Sequence, residues 1–174
     1  MPAPKKVSIQ DDRVQTDMAD NPFKDQGKYT YTDEEISSWK PKFIQAEFVR
    51  DKNKRRPDDP LYDKTTLYIP PHEFQEFTES MKQFWKAKSQ FYDKVIFFKL
   101  GKFYEAFYDD AILLHQKLEL QWMNCHQQKK PHVGFPEKAL EKYLGQLTNM
   151  GYSVAVVEQT ETPKSAQDRI DGEG

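Results

Sequence analysis

Cysteine is nearly absent. Cys125 is the single one in 174 residues, so no internal disulfide can form and a reducing compartment is the expected setting. Long hydrophobic runs are also missing: no apolar stretch approaches the ~18 residues of a membrane span, and the opening MPAPKKVSIQDD lacks the apolar centre of a signal peptide. A soluble intracellular protein with no membrane partner is expected. Excess positive charge is lacking too. With a formal net charge of −2, indiscriminate binding to polyanions is excluded, and any nucleic-acid contact has to be local or shared with a partner. Neither GxxxxGK followed by Ser or Thr, nor GxGxxG, occurs anywhere in the chain. Without a phosphate-cradling loop, no nucleotide hydrolysis, no enzymatic role and no bound cofactor are expected of these residues.

What is present divides the chain. Mean hydropathy is −0.92 and 31% of residues are charged, too polar for the whole length to be packed. Residues 1–60 show no sustained strand or helix period and are broken by Pro2, Pro4, Pro22, Pro41, Pro57 and Pro60. They read as a mostly disordered extension with a short helical stretch around Asp33 to Trp39. The basic cluster Lys52, Lys54, Arg55, Arg56 is followed at once by Asp58 and Asp59 and reads as a solvated loop. Residues 61–163 carry the patterns of one folded domain, and 164–174 form a polar tail.

Within the domain, Thr66 to Ile69 are strand-prone and are stopped by Pro70 and Pro71. Phe74, Phe77, Met81, Phe84, Trp85 and Lys88 recur at helical spacing and predict one helix of about five turns. KVIFFKL at 94–100 reads as a buried strand ended by Gly101. Ala111, Leu114 and Leu118 mark a helix whose first turn holds Asp109 and Asp110, where acids suit the helix dipole. LELQWMN at 118–124 suggests a further strand. A helix opened by Pro136 and closed by Gly151 carries Ala139, Leu140, Tyr143, Leu144 and Leu147, and YSVAVVEQT at 152–160 is a strand. The succession predicts an α/β fold, a single mixed β-sheet flanked by helices, behind a largely disordered N-terminal tail.

Chemistry-bearing residues are few. Cys125, His126 and His132 lack a second pair of ligands at metal-binding spacing and read as a loop with incidental imidazoles. Glu105, Asp109 and Asp110 loosely resemble a metal-dependent nuclease cluster, yet acids at a helix start account for two of them. No catalytic and no metal site is expected. GKFYEAFYDDA at 101–111 is more informative. If the chain is extended past Gly101, Phe103 and Glu105 share one face while Lys102 and Tyr104 share the other. A phenyl ring and an unpaired carboxylate cannot both be comfortable in a dry core. Either the pair is a contact surface, or Glu105 is buried with a partner, and the residues alone leave both open.

FFKLGKFYEAFYDDA at 97–111 resembles the mismatch-recognition motif of the MutS family of DNA mismatch-repair proteins, whose hallmark is Phe-x-Glu after a glycine, here Phe103-Tyr104-Glu105. Three further stretches match in order: RRPDDPLYDKTTLYIP (55–70), HVGFPEKALEKYLGQL (132–147) and GYSVAVVEQTETP (151–163). The likeness is strongest to the eukaryotic homologue-6 branch. It implies a MutS N-terminal-like domain that approaches DNA from the minor groove. There Phe103 would stack on a mispaired base and wedge the duplex, and Glu105 would hydrogen-bond to that base. Lys102 would meet a phosphate, and Gly101 would permit close approach. The implied partners are double-stranded DNA with mismatches or small insertion/deletion loops and, in a full-length protein, a second, homologue-2-like MutS protein; the implied location is the nucleus. ATP and magnesium belong to the full-length family. Ala106 stands where relatives carry a larger apolar residue, and the start lacks the sliding-clamp-binding box of the homologue-6 branch. An α/β protein-interaction module without autonomous DNA binding is the alternative.

Overall fold

In the computed structural model, which describes residues 27–159, the apolar run Val95–Leu100 forms β1 in the middle of a four-stranded sheet. Phe103–Phe107 (β2), His132–Pro136 (β3) and Val154–Glu158 (β4) complete it in the order β3-β2-β1-β4. β1 pairs antiparallel with β2 and parallel with β4, and β2 pairs antiparallel with β3, so the sheet is mixed as expected. The first four residues of β1 are all buried because both faces of the sheet are covered there.

Among the described residues six α-helices flank the sheet: α1 Asp33–Ser38, α2 Pro71–Gln75, α3 Glu79–Gln90, α4 Asp109–Leu118, α5 Cys125–Gln128 and α6 Leu140–Asn149. On one face, Ile36, Ala111, Leu114 and Leu147 from α1, α4 and α6 pack with Val95, Phe97, Tyr104, Ala106, Val133 and Phe135. On the other, Met81, Phe84 and Trp85 of α3, together with Phe43, Ile44, Val49 and Leu67, pack with Ile96, Phe98 and Phe107. Each fully buried side chain of this size contributes about 1.5–3 kcal/mol relative to exposure. Helix α6 ends as its sequence predicts: Gly151 sits at φ +93°, its N–H donates to the Thr148 carbonyl, and the Tyr152 N–H donates to that of Leu147. Its start differs, since Pro136 is the last residue of β3 and a 3-10 turn, Glu137–Ala139, precedes the helix. Among the described residues no helix is long and apolar enough to cross a membrane.

The largest departure from expectation is residues 27–60, which fold. Thr32 and Glu35 form a reciprocal capping box that starts α1, and Ile36 buries itself against the sheet. A 3-10 turn, Lys42–Ile44, delivers Phe43 and Ile44 to the Trp85 side of the core. The following loop is organised by Asp51, which is wholly buried. Its carboxylate accepts the N–H groups of Asn53, Arg55 and Asp63 at 2.8, 2.9 and 2.8 Å. Burial alone would raise this carboxyl's pKa, but the three donors outweigh it and hold the group below the usual carboxylate range. The basic cluster is divided: Arg56 donates to the Val49 and Ala46 carbonyls and Arg55 to that of Leu61, while Lys52 and Lys54 stay exposed. Residues 1–26 and the polar tail 164–174 lie outside the described residues.

Three smaller expectations fail for local reasons. Thr66 to Ile69 form no strand, because the Leu67 N–H donates to the Ser89 carbonyl and the Tyr68 N–H to that of Arg50, neither of which belongs to a strand. The five-turn helix is two helices, broken before Thr78, whose hydroxyl accepts the Met81 N–H and caps α3. LELQWMN alternates like a strand, and Leu120, Trp122 and Met123 are buried, yet residues 119–123 join no sheet.

Candidate nucleic-acid interface

Between the paired residues Leu100 and Phe103 the chain reverses in two residues, Gly101 and Lys102, so the extended run turns back as a hairpin. Gly101 has φ +62° and Lys102 is not in the left-handed region, the combination that a type II′ turn places on a leading glycine. Nothing stands within 4 Å of where a β-carbon would be at Gly101, so the tip presents open backbone. The tip is fastened from beneath. The Lys102 carbonyl accepts the Glu137 N–H at 2.8 Å. Lys99 Nζ lies 3.1 Å from Glu137 and 3.6 Å from Glu158, and the hydrogen bond and charge of Glu137 raise its pKa.

Alternation along β2 then assigns the side chains. Tyr104 and Ala106 are buried in the core beneath α4 and α6. Phe103, Glu105 and Phe107 point the other way, toward the α3 side. Phe107 is covered there by the Phe84 ring at 5.0 Å, whereas Phe103 belongs to neither hydrophobic cluster. Phe103 and Glu105 are half-buried, side by side at the hairpin end of the sheet, and Gly101 and Lys102 are exposed beside them. All four residues singled out from sequence are thus brought together.

Glu105 lies opposite Phe98 on one neighbouring strand and Gly134 on the other. Burial pushes its carboxyl up to about 7, only partly offset by the charge of Lys130, and no hydrogen bond to the carboxyl contributes. Near neutrality the group is therefore divided between a carboxylate, which only accepts, and a carboxylic acid, which can also donate. Lys130 Nζ sits 4.7 Å over the Phe107 ring, and desolvation lowers its pKa. His132 stacks on the same ring, and burial pushes its imidazole down to about 4, so it is uncharged at neutral pH. Lys130 is the residue that sequence reasoning missed. Lys130 lies two residues before β3 and reaches Glu105 only by charge, from over the neighbouring Phe107 ring, and a lysine in a polar loop gives no local signal of that.

The other acids do not join Glu105. Asp110 is buried in an ion pair with Lys88 at 2.9 Å and accepts the Ile96 N–H at 3.0 Å, and Asp109 pairs with Lys40 at 2.9 Å. Cys125 Sγ accepts the His132 N–H at 3.3 Å, while the His126 ring packs 6.0 Å from Trp39. Among the described residues no group of His, Cys, Asp and Glu could hold a metal ion. The hairpin can therefore offer a stacking ring, a carboxyl poised to change protonation and an exposed cation, all beside bare backbone.

Comparison with known proteins bears on what such a hairpin serves. Residues 78–173 match the family described as MutS domain I. Over 127 residues the chain is 42% identical to DNA mismatch repair protein MSH7 of Arabidopsis thaliana, covering 73% of this chain and 12% of that protein. It is 46% identical to DNA mismatch repair protein MSH6 of Arabidopsis thaliana, covering 69% of this chain and 9% of that protein. It is 42% identical to DNA mismatch repair protein Msh6 of Homo sapiens, again covering 73% and 9%. The chain spans about a tenth of the length of these relatives.

Proposed function

The chain belongs to the MutS domain I family, and on that premise we propose that it binds mismatched double-stranded DNA as the recognition domain of a nuclear, MSH6-type mismatch-repair protein. The observation that carries this reading is the pairing of Phe103 and Glu105 on one strand face beside the open Gly101 turn. Phe103 wedges between base steps from the minor groove. Unstacking costs a few kcal/mol per step and costs less where pairing is already broken, so the wedge selects deformable sites without a base code. Gly101 lets the backbone come close, and Lys102 meets a phosphate, which positions without specifying.

Glu105 adds discrimination. As a carboxylate it is repelled by every duplex; as a neutral acid it is not, and it can hydrogen-bond to a base edge left free by a mispair. A carboxyl already raised to about 7 needs little further help from an approaching polyanion to take up that proton. Small insertion/deletion loops present the same unstacked base. ATP binding and hydrolysis with magnesium, and pairing with a second MutS-type protein, belong to other parts of a full-length protein.

The test is the affinity of the chain, alone and within a full-length protein, for mismatched against fully paired duplex. Phe103→Ala is expected to reduce the preference for the mismatch by about tenfold or more, in line with the loss of one base-stacking contact. Unchanged preference sinks the assignment. Glu105→Ala is expected to tighten binding to the paired duplex while narrowing the preference, and an equal loss on both duplexes contradicts its role.

A further inference from the structure

Six ion pairs form among the described residues, and none involves Lys42, Arg50, Lys52, Lys54 or Lys86. All five are exposed, and they gather in one place. Two adjoining clefts share Tyr68. One, of about 260 Å³, has Lys52 and Lys86 in its lining, and the other, of about 220 Å³, has Lys42, Arg50 and Phe48. Lys54 Nζ lies 5.0 Å over the Tyr68 ring, and Lys42 Nζ lies 5.7 Å from the ring of Phe48, which is 49% exposed.

The nearby acids do not neutralise this surface. Glu73 is the single carboxylate in either lining. Asp51 is occupied by backbone N–H groups, and Asp63 by the Thr65 hydroxyl and N–H. In a chain with net charge −2, five unpaired cations held together by one loop and one helix call for a polyanion. The two rings among them narrow the choice, because alternating cations and stacking faces suit phosphates and unstacked bases, and a continuous duplex offers no base face. The cleft lined by Lys52 and Lys86 also lies toward the opposite end of α3 from the hairpin. Leu67 is tied to Ser89 near the C-terminal end of α3, whereas Gln159, just past β4, bonds to Ser80 at the other end, toward which β1 runs.

We propose that the Tyr68 clefts are a second nucleic-acid contact, one that takes a single-stranded segment with its phosphates on Lys42, Arg50, Lys52 and Lys86 and a base against Phe48. The site stands independently of the hairpin reading, since neither Phe103 nor Glu105 takes part in it.

The experiment measures binding of oligothymidylate and oligouridylate, each of about 16 nucleotides, as a function of salt. The Lys42→Gln/Lys52→Gln/Lys86→Gln variant is expected to bind both at least about tenfold more weakly at low salt, with the log–log salt slope flattened by roughly 2. Those three side chains make no hydrogen bond or ion pair among the described residues, so an unchanged circular dichroism spectrum and melting temperature are expected to accompany the loss. Phe48→Ala should weaken binding about fivefold or more with the slope preserved, as loss of a stacked base requires. Unchanged affinity and slope in the triple variant overturn the proposal. So does a loss confined to duplex DNA, or a loss seen with polyglutamate and not with either oligonucleotide, which would make the occupant an acidic protein.

Discussion

Two carboxyls five residues apart in this chain are treated in opposite ways. Asp110, at the start of α4, is buried against Lys88 with a backbone N–H on its second oxygen, so both oxygens are satisfied. Glu105, on β2, is half-buried with no hydrogen bond or ion pair among the described residues and only the remoter charge of Lys130 in its favour. Both lie on the α3 side of the sheet, so depth does not separate them; the partner does. A buried acid that has a partner serves the fold, and one that lacks a partner costs stability unless another molecule supplies what is missing.

Breaking the contrast should have its largest effect at Asp110. Asp110→Ala leaves the Lys88 ammonium buried and unpaired, and a loss of roughly 3–5 kcal/mol in urea unfolding is expected. Glu105→Gln should do the reverse. The folded-state pKa is raised, so the wild-type domain bears no penalty below about pH 4.5, where the group is protonated whether folded or unfolded, and accumulates one as pH rises to about 7. The Gln variant is therefore expected to match wild type near pH 4 and to be more stable above pH 7 by on the order of 1–3 kcal/mol. Unfolding curves at the two pH values check it, and equal stability at both would mean that Glu105 has a partner after all. Asp109 sharpens the comparison from the exposed side. Its pair with Lys40 leaves the Asp109 side chain 47% exposed, and Asp109→Asn is expected to change stability by less than about 1 kcal/mol, falling further with added salt.

The strand that ends at Gly101 and the face that Phe103 shares with Glu105 were legible because their signals are local: alternation needs only neighbouring residues, and Gly151 likewise marks the end of α6. The reversal at Gly101 that pairs β1 with β2 as a hairpin was not expected. What escaped depended on partners distant in sequence. Phe43, Ile44 and Val49 are core residues at irregular spacing, the first two delivered by the 3-10 turn Lys42–Ile44 and the third lying next to the loop that Asp51 organises, and none of them marked by a period of its own. The apolar spacing from Phe74 to Lys88 runs unbroken across the gap at Thr78, so periodicity could not reveal two helices. Leu120 and Trp122 alternate like a strand but bury themselves without a ladder. Lys130 comes near Glu105 only because the loop before β3 lays its side chain over the Phe107 ring.

The buried Asp51 carboxylate also decides where this domain can be cut. Its three donors span residues 53 to 63, and the loop they hold carries Val49, next to Phe43 and Ile44 on the Trp85 wall. The family pattern begins at residue 78, but the core it belongs to takes in Ile36, Phe43, Ile44, Val49 and Leu67, which lie before it. Trimmed to the recognisable region, the protein would present Phe84 and Trp85 as a bare aromatic wall, and self-association would replace the missing strap.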